Sequence, residues 1–415
     1  MLIGYFTERP YQDPKSGYFG STGRPIQDLT VSNADYDPEL GAALYNRYLD
    51  EKVYAEEMGF DCLMLNEHHS TPFCMGGAMN VEAAILARIT KKAKIALLGN
   101  ILPIWDDPLW LAETLAEIDM ISHGRLISGW VRGTGRESVA HNSPPPYNWE
   151  RFQEAHEFIV KAWTAPGPFR WEGKHYHYRY VNPWARPYQQ PHPQIWLPGV
   201  VSRDSLLWAA QQRIPYIMLS TELGPTGEAF QLYHDTAAEL GYKSGPQNIG
   251  YLWKVHVDET DELAFEVGRK YVQGPSNPFL AGNEGVLNRA LLTLPGLSSR
   301  SRVLPTRDVA PAGRGGRSAP YEQQVERYTI TVGSPKTIVP KIRHVLEQLR
   351  PGTVIFWDGD GAMTHEDAMR SLRLFGEDVL PAVREIAKEL DLPGPFEIDP
   401  ATGEPVGVAA PARAS

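Results

Sequence analysis

Two scarcities restrict what this chain can be. Of its 415 residues only Cys62 and Cys74 are cysteine. Two cysteines cannot form a disulfide framework, which predicts a reducing compartment. Positive charge is not in excess either, because the formal net charge is −10. This balance argues against nucleic acid or an anionic membrane as the main partner.

Long apolar runs are also missing. No stretch reaches the roughly 18 apolar residues that a membrane-spanning helix needs. The opening residues, Met1 to Phe6, are typical of a strand rather than of a secretory signal. We therefore expect a soluble cytoplasmic protein. The length suits one α/β barrel with insertions, and 42% apolar residues are ample for its core.

Two common site motifs are absent from the sequence. No Gly-x-Gly-x-x-Gly follows the first predicted strand, which argues against a dinucleotide-binding domain. Apart from the paired histidines described below, no cluster of His and Cys has the spacing of metal ligands. We therefore predict no metal.

Strand and helix patterns alternate along the chain, which favours a parallel sheet. Strands are predicted at 2–6, 61–65, 94–102, 125–131, 194–197, 216–219, 249–257 and 353–357. Helices are predicted at 39–58, 81–90, 108–122, 149–163, 202–212, 227–240, 262–272, 335–349 and 364–390. This alternation predicts an α/β fold, a (β/α)8 TIM barrel with long insertions spanning residues 1–390. A doubly wound open sheet is the alternative.

Three segments lie outside the alternation. Residues 7–37 form a polar insert after the first strand, rich in glycine and proline. Residues 274–320 form a second insert, which is either a functional lid or a disordered surface loop. The tail, residues 391–415, is rich in proline and alanine, and we expect it to be disordered.

The most informative stretch is Glu67-His68-His69, which follows directly after a short buried strand. Carboxyl ends of parallel strands are where α/β proteins assemble their chemistry, and imidazoles titrate near neutral pH. The motif could be a general base, a metal site or a structural feature. Adjacent residues of an extended chain point to opposite faces, so His68 and His69 are not expected to bind one metal together.

The next two predicted strands also end in suggestive residues. Leu98-Gly99-Asn100 places a glycine inside a strand, which indicates close approach of a backbone or a flat ligand, or else a simple bulge. Arg132 follows the fourth strand among glycines, where it is well placed to bind a phosphate.

A further anion site is predicted where the fifth strand runs into a helix. Backbone N–H groups at a helix start, together with serine hydroxyls, can bind a phosphate. The alternative is that Ser202 is only an N-cap. The residues concerned are Gly199, Val200, Val201, Ser202 and Ser205.

Aromatic residues crowd the same strand ends. Most tryptophan and phenylalanine side chains build core, but those at a barrel mouth can form an apolar pocket. We predict such a substrate pocket from Tyr5, Phe73, Trp105 and Trp357.

Taken together and in order, these pieces resemble the bacterial luciferase-like flavin monooxygenases. The similarity spans residues 1–390. It includes the strand-end histidine motif at 60–69, the third strand at 97–103, the helix-and-strand signature at 119–133, and the segments at 181–196, 332–335 and 364–381.

The resemblance implies a barrel that uses reduced flavin, FMN in particular. His68 matches the family's active-site histidine, and Arg132, Ser202 and Ser205 match its phosphate-binding groups. Leu98-Gly99 falls where the family has a non-prolyl cis peptide under the flavin ring. The insert at 274–320 occupies the position of the luciferases' mobile active-site loop.

Two departures from the luciferases stand out. The insert at 7–37 is longer than theirs and should reshape the substrate pocket. Val201 occupies the position of the glutamate that precedes the phosphate serine in luciferase, so local hydrogen bonding should differ.

The sequence therefore predicts a two-component monooxygenase that oxygenates an apolar organic molecule with reduced FMN and O2. An NAD(P)H-dependent flavin reductase would supply the flavin, and the family implies a homodimer or larger assembly. The alternatives are a deazaflavin-dependent hydride-transfer enzyme and a non-catalytic flavin-binding protein. A metal hydrolase using His68 and His69 is a more distant possibility.

Overall fold

The computed structural model describes residues 1–13, 32–133, 135–200, 202–219, 222–272, 319–359 and 363–406. Within these ranges the strands are β1 (Leu2–Phe6), β2 (Cys62–Leu65), β3 (Lys94–Ile101), β4 (Leu126–Val131), β5 (Phe169–Glu172), β6 (His177–Val181), β7 (Gln194–Gly199), β8 (Tyr216–Leu219), β9 (Ile249–Val257), β10 (Ile330–Gly333) and β11 (Thr353–Trp357).

The α-helices of the described residues are α1 (Pro38–Glu57), α2 (Met79–Ile89), α3 (Pro108–Ser122), α4 (Gly135–Ala140), α5 (Asn148–Thr164), α6 (Arg203–Gln212), α7 (Leu223–Glu239), α8 (Asp261–Val267), α9 (Tyr321–Glu326), α10 (Pro335–Leu349), α11 (His365–Leu374) and α12 (Leu380–Glu389). Five-residue π-helical turns follow α8 at Gly268–Val272 and join α11 to α12 at Phe375–Val379. None of these helices is long and apolar enough to cross a membrane.

Eight parallel strands close into a barrel in the order β1-β2-β3-β4-β7-β8-β9-β11. Two pairings close the barrel. Strand β11 pairs with β1 in parallel from Leu2↔Thr353 onward, and β8 pairs with β9. These eight strands are the predicted ones, and the (β/α)8 barrel is confirmed over the open sheet.

Two strand features were not predicted. The short strand β10 pairs with the upper half of β9, from Ile330↔Lys254 to Gly333↔Val257. An antiparallel hairpin, β5–β6, follows α5. The hairpin is largely exposed, so it lacks the buried apolar signal by which the barrel strands are predicted. Strand β10 is buried, but only two of its four residues are apolar.

Strand alternation divides the apolar residues into two layers. One face of each barrel strand fills the lumen with Leu2, Phe6, Cys62, Met64, Ala96, Leu98, Ile127, Trp196, Ile217, Leu252 and Ile355. The other face packs against the surrounding helices and forms the larger core. Side chains beyond the filled lumen, at the carboxyl ends of the strands, are left to build a site.

The tail is ordered further than the composition predicts. Glu397 accepts hydrogen bonds from the Met1 ammonium at 2.6 Å and from the Gly394 N–H at 2.6 Å. The Phe396 ring lies 4.2 Å below the Lys94 ammonium, and Asn248 donates to the Pro400 carbonyl at 2.7 Å. The predicted disorder is therefore wrong for 391–406, because composition does not reveal these anchors. Residues 407–415 lie outside the described ranges, as do most of the two predicted inserts.

Candidate active site

The two histidines after β2 bind different carboxylates. His68 Nδ1 lies 3.0 Å from Glu137 Oε1, and its ring centroid is 5.2 Å from that of Phe73. His69 Nε2 lies 2.7 Å from Glu67 Oε1. The sequence predicted that His68 and His69 do not bind one metal together; in the structure each of them lies against a different carboxylate. Among the described residues no group of three His, Cys, Asp or Glu side chains could hold a metal.

A third histidine, His141, completes this cluster. Its ring meets that of His69 edge to face, with 4.1 Å between centroids. Burial lowers the pKa of His141, and the neighbouring His69 lowers it further. Neutral imidazole is therefore the favoured form of His141, which the sequence analysis did not single out.

Arg9 stabilises the segment that follows β2. It lies in the polar insert and was not among the residues predicted from the sequence. Arg9 is fully buried; it donates to Glu82 Oε1 at 3.1 Å and to Asn66 Oδ1 at 3.0 Å. Asn66 also donates to Glu8 Oε2 at 2.7 Å. At Gly76 a Cβ would lie 1.9 Å from the Arg9 guanidinium. This network joins the segment after β1 to the loop that carries His68.

Strands β3 and β4 approach each other closely at their ends. The Leu98–Gly99 peptide bond is cis, as the resemblance implies, and the register shifts between Leu97 and Asn100. A Cβ on Gly99 would lie 2.6 Å from the Gly129 carbonyl oxygen, and one on Gly129 would lie 2.1 Å from the Leu97 carbonyl oxygen. Two facing glycines are therefore required for this backbone arrangement.

Asn100 follows this contact and is buried, with 1% of its surface exposed. Neither its Nδ2 nor its Oδ1 has a hydrogen-bond partner in the described part of the chain. A buried primary amide normally satisfies both atoms, because leaving them unpaired costs on the order of 1–3 kcal/mol. A bound group that both donates and accepts would satisfy Asn100.

The predicted phosphate site lies at the start of α6. Ser202 is the N-cap, and its Oγ accepts from the Ser205 N–H at 3.4 Å and from the Ser205 hydroxyl at 3.0 Å. Gly199 ends β7 beneath it, where a Cβ would lie 2.1 Å from the Tyr216 hydroxyl oxygen. Val200 is described and half-buried, whereas Val201 lies outside the described residues.

Arg132 belongs to the same end of the barrel. Its guanidinium lies 6.0 Å from the centre of the Trp149 ring. Burial lowers the pKa of Arg132, and the negative charge of Asp204, in the first turn of α6, opposes that shift. This coupling brings a cation to the helix N-terminus, where backbone N–H groups also favour an anion.

The predicted aromatic pocket needs correction at two positions. Tyr5 lies on the outer face of β1 and packs against Phe60, with 5.5 Å between centroids. Alternation places Phe6 in the lumen instead, 5.3 Å from the Trp357 ring. Trp105 packs against the outer core because the chain turns away from the lumen over Leu102–Ile104. Phe73 packs against His68, and Trp357 packs against the residues of the lumen.

A polar cluster on β9 and after β11 was not predicted at all. The His256 Nδ1 lies 2.8 Å from Asp358 Oδ1, and Arg370 binds both oxygens of Asp258 at 2.8 and 3.0 Å. Lys254 lies two residues before His256, with its ammonium 4.4 Å from the centre of the Trp357 ring. The sequence predicts only a strand here, although Lys254, His256 and Asp258 alternate along it and beyond its end.

These residues fit the flavin that the resemblance implies. The unsatisfied amide of Asn100 suits the polar edge of a flat heterocycle. Arg132 with the hydroxyls and N–H groups at α6 suits a terminal phosphate. Both features stand at the carboxyl ends of neighbouring strands.

Comparisons with known proteins agree with the fold described above. A family profile described as luciferase-like monooxygenase matches residues 29–351. The oxygenase component of a flavin-dependent trigonelline monooxygenase from Acinetobacter baylyi is 28% identical over 357 residues, which is 84% of this chain and 92% of the relative.

Two solved structures share the fold. The oxygenating constituent of 3,6-diketocamphane monooxygenase from Pseudomonas putida, a type II Baeyer–Villiger monooxygenase in complex with FMN, matches with a TM-score of 0.68 at 19% identity, covering 92% of this chain and 99% of that one. An F420-dependent secondary alcohol dehydrogenase matches with a TM-score of 0.63 at 14% identity, covering 92% and 99%.

Fold and profile together define an α/β-barrel oxidoreductase. The chain belongs to the luciferase-like monooxygenase family.

Proposed function

We propose that this chain is the oxygenase component of a two-component monooxygenase that uses reduced FMN and O2 to oxygenate an organic molecule. The observation that carries the proposal is the buried Asn100 amide, unsatisfied within the described residues, beside the contact of β3 with β4. The anion site of Arg132, Ser202 and Ser205 supports it. The ring and the phosphate of one FMN molecule match these two features.

The bound flavin would supply the electrons and the oxygen activation, and the protein supplies position and proton control. Asn100 would hold the ring. Arg132, Ser202 and Ser205 would hold the phosphate.

His68 is the proposed general base or proton shuttle. With its Nδ1–H donated to Glu137 Oε1 at 3.0 Å, the basic nitrogen is Nε2 and the ring orientation is set. Glu137 is therefore a positioning residue for His68.

The proposed substrate has an apolar body. Phe6, Leu98 and Trp357 border the lumen, and Phe73 lies against His68. Such walls exclude water and bind aliphatic or aromatic surface.

The source of reduced flavin is proposed to be a separate NAD(P)H-dependent reductase. The described residues form one barrel with a hairpin, and no dinucleotide-binding sheet stands beside it in these ranges. The reductase would be a transient partner that delivers reduced FMN.

Self-association, expected from the resemblance, has a candidate surface on α2 and α3. Large apolar side chains are exposed there, including Val81, Ile85 and Ile121 at 60%, 39% and 44%. The groove between these helices also carries Arg88 and Glu117, opposite charges that a two-fold contact can pair. We propose that a second copy of this chain covers the groove; Ile85→Glu should shift the molar mass measured by light scattering from dimer to monomer.

A deazaflavin-dependent hydride-transfer enzyme is the second candidate, because the F420-dependent dehydrogenase shares the fold. Cofactor preference distinguishes the two. The deciding experiment titrates the protein without oxygen, once with reduced FMN and once with a reduced deazaflavin, and follows protein fluorescence.

The proposal expects reduced FMN to bind at least about 10-fold tighter than the deazaflavin. After mixing with oxygenated buffer, bound flavin should re-oxidise more slowly than free flavin, because the protein controls access to the ring. The opposite cofactor preference would establish the hydride-transfer enzyme. Flavin binding without oxygen-coupled turnover of any substrate would indicate a non-catalytic flavin binder.

A further inference from the structure

The hydroxyl of Tyr216 is buried and unpaired. Tyr216 is the first residue of β8, and it is fully buried in the outer core of the barrel. Its Oη has no hydrogen-bond partner in the described part of the chain. Buried hydroxyls normally form a hydrogen bond, because an unsatisfied donor is costly to keep away from water. This hydroxyl is therefore available to donate to a bound group.

The register of the sheet shows where the Tyr216 side chain points. Tyr216 pairs with Leu197, so Gly199 lies two residues further toward the carboxyl end of β7. A Cβ on Gly199 would lie 2.1 Å from the Tyr216 hydroxyl oxygen and 2.7 Å from its Cζ. The side chain therefore runs from the start of β8 to the end of β7, and its hydroxyl occupies the space that a side chain at Gly199 would need.

The end of β7 leads directly into the first turn of α6. Ser202, three residues after Gly199, is the N-cap of this helix, and its side chain accepts from the Ser205 N–H. Helix α6 has ten residues, and its first turn presents backbone N–H groups that favour an anion. The Tyr216 hydroxyl thus approaches the proposed phosphate site from the outer core, beneath the segment that joins β7 to α6.

The protonation state of Tyr216 makes it a donor. Burial raises the pKa of Tyr216 above its ordinary value, so the hydroxyl keeps its proton throughout the physiological range. The guanidinium of Arg132 and the N–H groups of the first turn of α6 are donors as well. The chemical complement of such a set is a group with several acceptor oxygens and negative charge, as in a phosphate monoester.

We propose that the Tyr216 hydroxyl donates a hydrogen bond to the phosphate of the bound flavin, from beneath the start of α6. The inference rests on the proposed function, because it takes this turn as the phosphate end of the FMN site. It assigns Tyr216 as a specificity-determining residue that favours a phosphorylated flavin over riboflavin. It also gives Gly199 a role, which is to leave room for that hydroxyl.

Tyr216→Phe tests this assignment, because it removes the hydroxyl and keeps the ring. Fluorescence titration of the full chain should show FMN binding about 10-fold weaker in the variant, since a hydrogen bond to a charged group is lost. Riboflavin should bind the variant and the wild type equally. The melting temperature without flavin should stay the same or rise, because the substitution removes a buried hydroxyl that has no partner in the described part of the chain.

Tyr233→Phe is the matched control. Tyr233 is equally buried, on α7, but its hydroxyl donates to the Ile214 carbonyl oxygen at 2.9 Å. Loss of that bond should lower the melting temperature and leave the ratio of FMN to riboflavin affinity unchanged. For Tyr216→Phe, an unchanged ratio would overturn the proposal. A lower melting temperature of the flavin-free variant would also overturn it, because the hydroxyl would then serve the fold.

Inorganic phosphate separates this inference from the proposed function. Phosphate should raise the melting temperature of the wild type more than that of Tyr216→Phe, because a ligand that binds the folded state stabilises it. The difference between the two proteins removes the general effect of phosphate on protein stability. A Tyr216-dependent effect of phosphate without FMN binding would refute the monooxygenase and leave the anion site standing. FMN binding that Tyr216→Phe does not weaken would refute this inference alone.

Discussion

His256 and Asp358 form a buried ion pair at the barrel mouth, with Nδ1 and Oδ1 2.8 Å apart. His256 comes from β9, and Asp358 directly follows β11. The side chains lie 102 residues apart in the sequence and are brought together by the parallel pairing of β9 with β11. The pair has a consequence for stability that can be measured.

We predict that the free energy of unfolding falls as the pH is raised from about 6.5 to 9. The folded protein holds the His256 proton with a pKa of about 9, against an ordinary value of about 6.5. The stabilisation is complete below pH 6.5 and is lost as the pH rises through 9; it amounts to about 3 kcal/mol at most. Urea unfolding of the wild type and His256→Gln across this range measures it.

The background for that experiment should be Lys52→Met. Burial lowers the pKa of Lys52 to about 8. Lys52 therefore increases the free energy of unfolding as the pH rises from 8 toward the ordinary pKa of lysine. This increase would mask part of the decrease that His256 causes. A His256→Gln variant with the same pH dependence as its parent would show that His256 does not carry this stabilisation.

Replacing His68 by alanine should leave FMN binding intact and lower oxygen-coupled turnover by about 10²-fold or more. The reason is that the proposed proton transfer loses the imidazole that Glu137 orients, while the flavin contacts lie on other strands. Product formation under saturating reduced FMN measures the effect. Glu137→Gln should produce a smaller loss with a shifted pH profile, and unchanged turnover in His68→Ala would exclude His68 from the chemistry.

The substitution Gly129→Ala should disrupt the contact between β3 and β4. Its Cβ would lie 2.1 Å from the Leu97 carbonyl oxygen and 2.4 Å from Leu98 Cδ2. Overpacking against backbone should lower the free energy of unfolding by about 3 kcal/mol and abolish FMN binding. Gly224→Ala is the control, because no atom lies within 4 Å of its Cβ position. Equal melting temperatures for the two variants would show that the contact is dispensable.

Arg132→Gln should weaken FMN binding about 10-fold or more, since a charge-assisted contact to phosphate is worth roughly 1.5–3 kcal/mol. Riboflavin, which lacks the phosphate, should bind the variant and the wild type equally. Fluorescence titration of both flavins gives the comparison. An equal loss of riboflavin affinity in the variant would show that Arg132 contacts the flavin ring rather than the phosphate.

Much of the fold follows from local sequence patterns. Buried strands such as Leu2–Phe6 and Lys94–Ile101 are short apolar runs bounded by helical periodicity, and eight of them in alternation are enough to predict the barrel. The motif Glu67-His68-His69, Leu98-Gly99, Arg132 and Ser202 could all be located, because each stands where a predicted strand ends.

Three features could be seen only in the tertiary structure. They are the carboxylate partners of the histidines, the face that each aromatic side chain presents, and the polar cluster on β9 and after β11. Tyr5 and Phe6 are adjacent aromatic residues of one strand, and their residue types do not distinguish them. Only strand alternation within a closed barrel places Tyr5 in the outer core and Phe6 in the lumen. Glu137 and Asp358 meet their histidines from 69 and 102 residues away. Sequence therefore determined the barrel and the residues at the ends of its strands, whereas the tertiary structure decided which side chains meet there, because contacts between segments distant in the sequence leave no periodic signal in the chain.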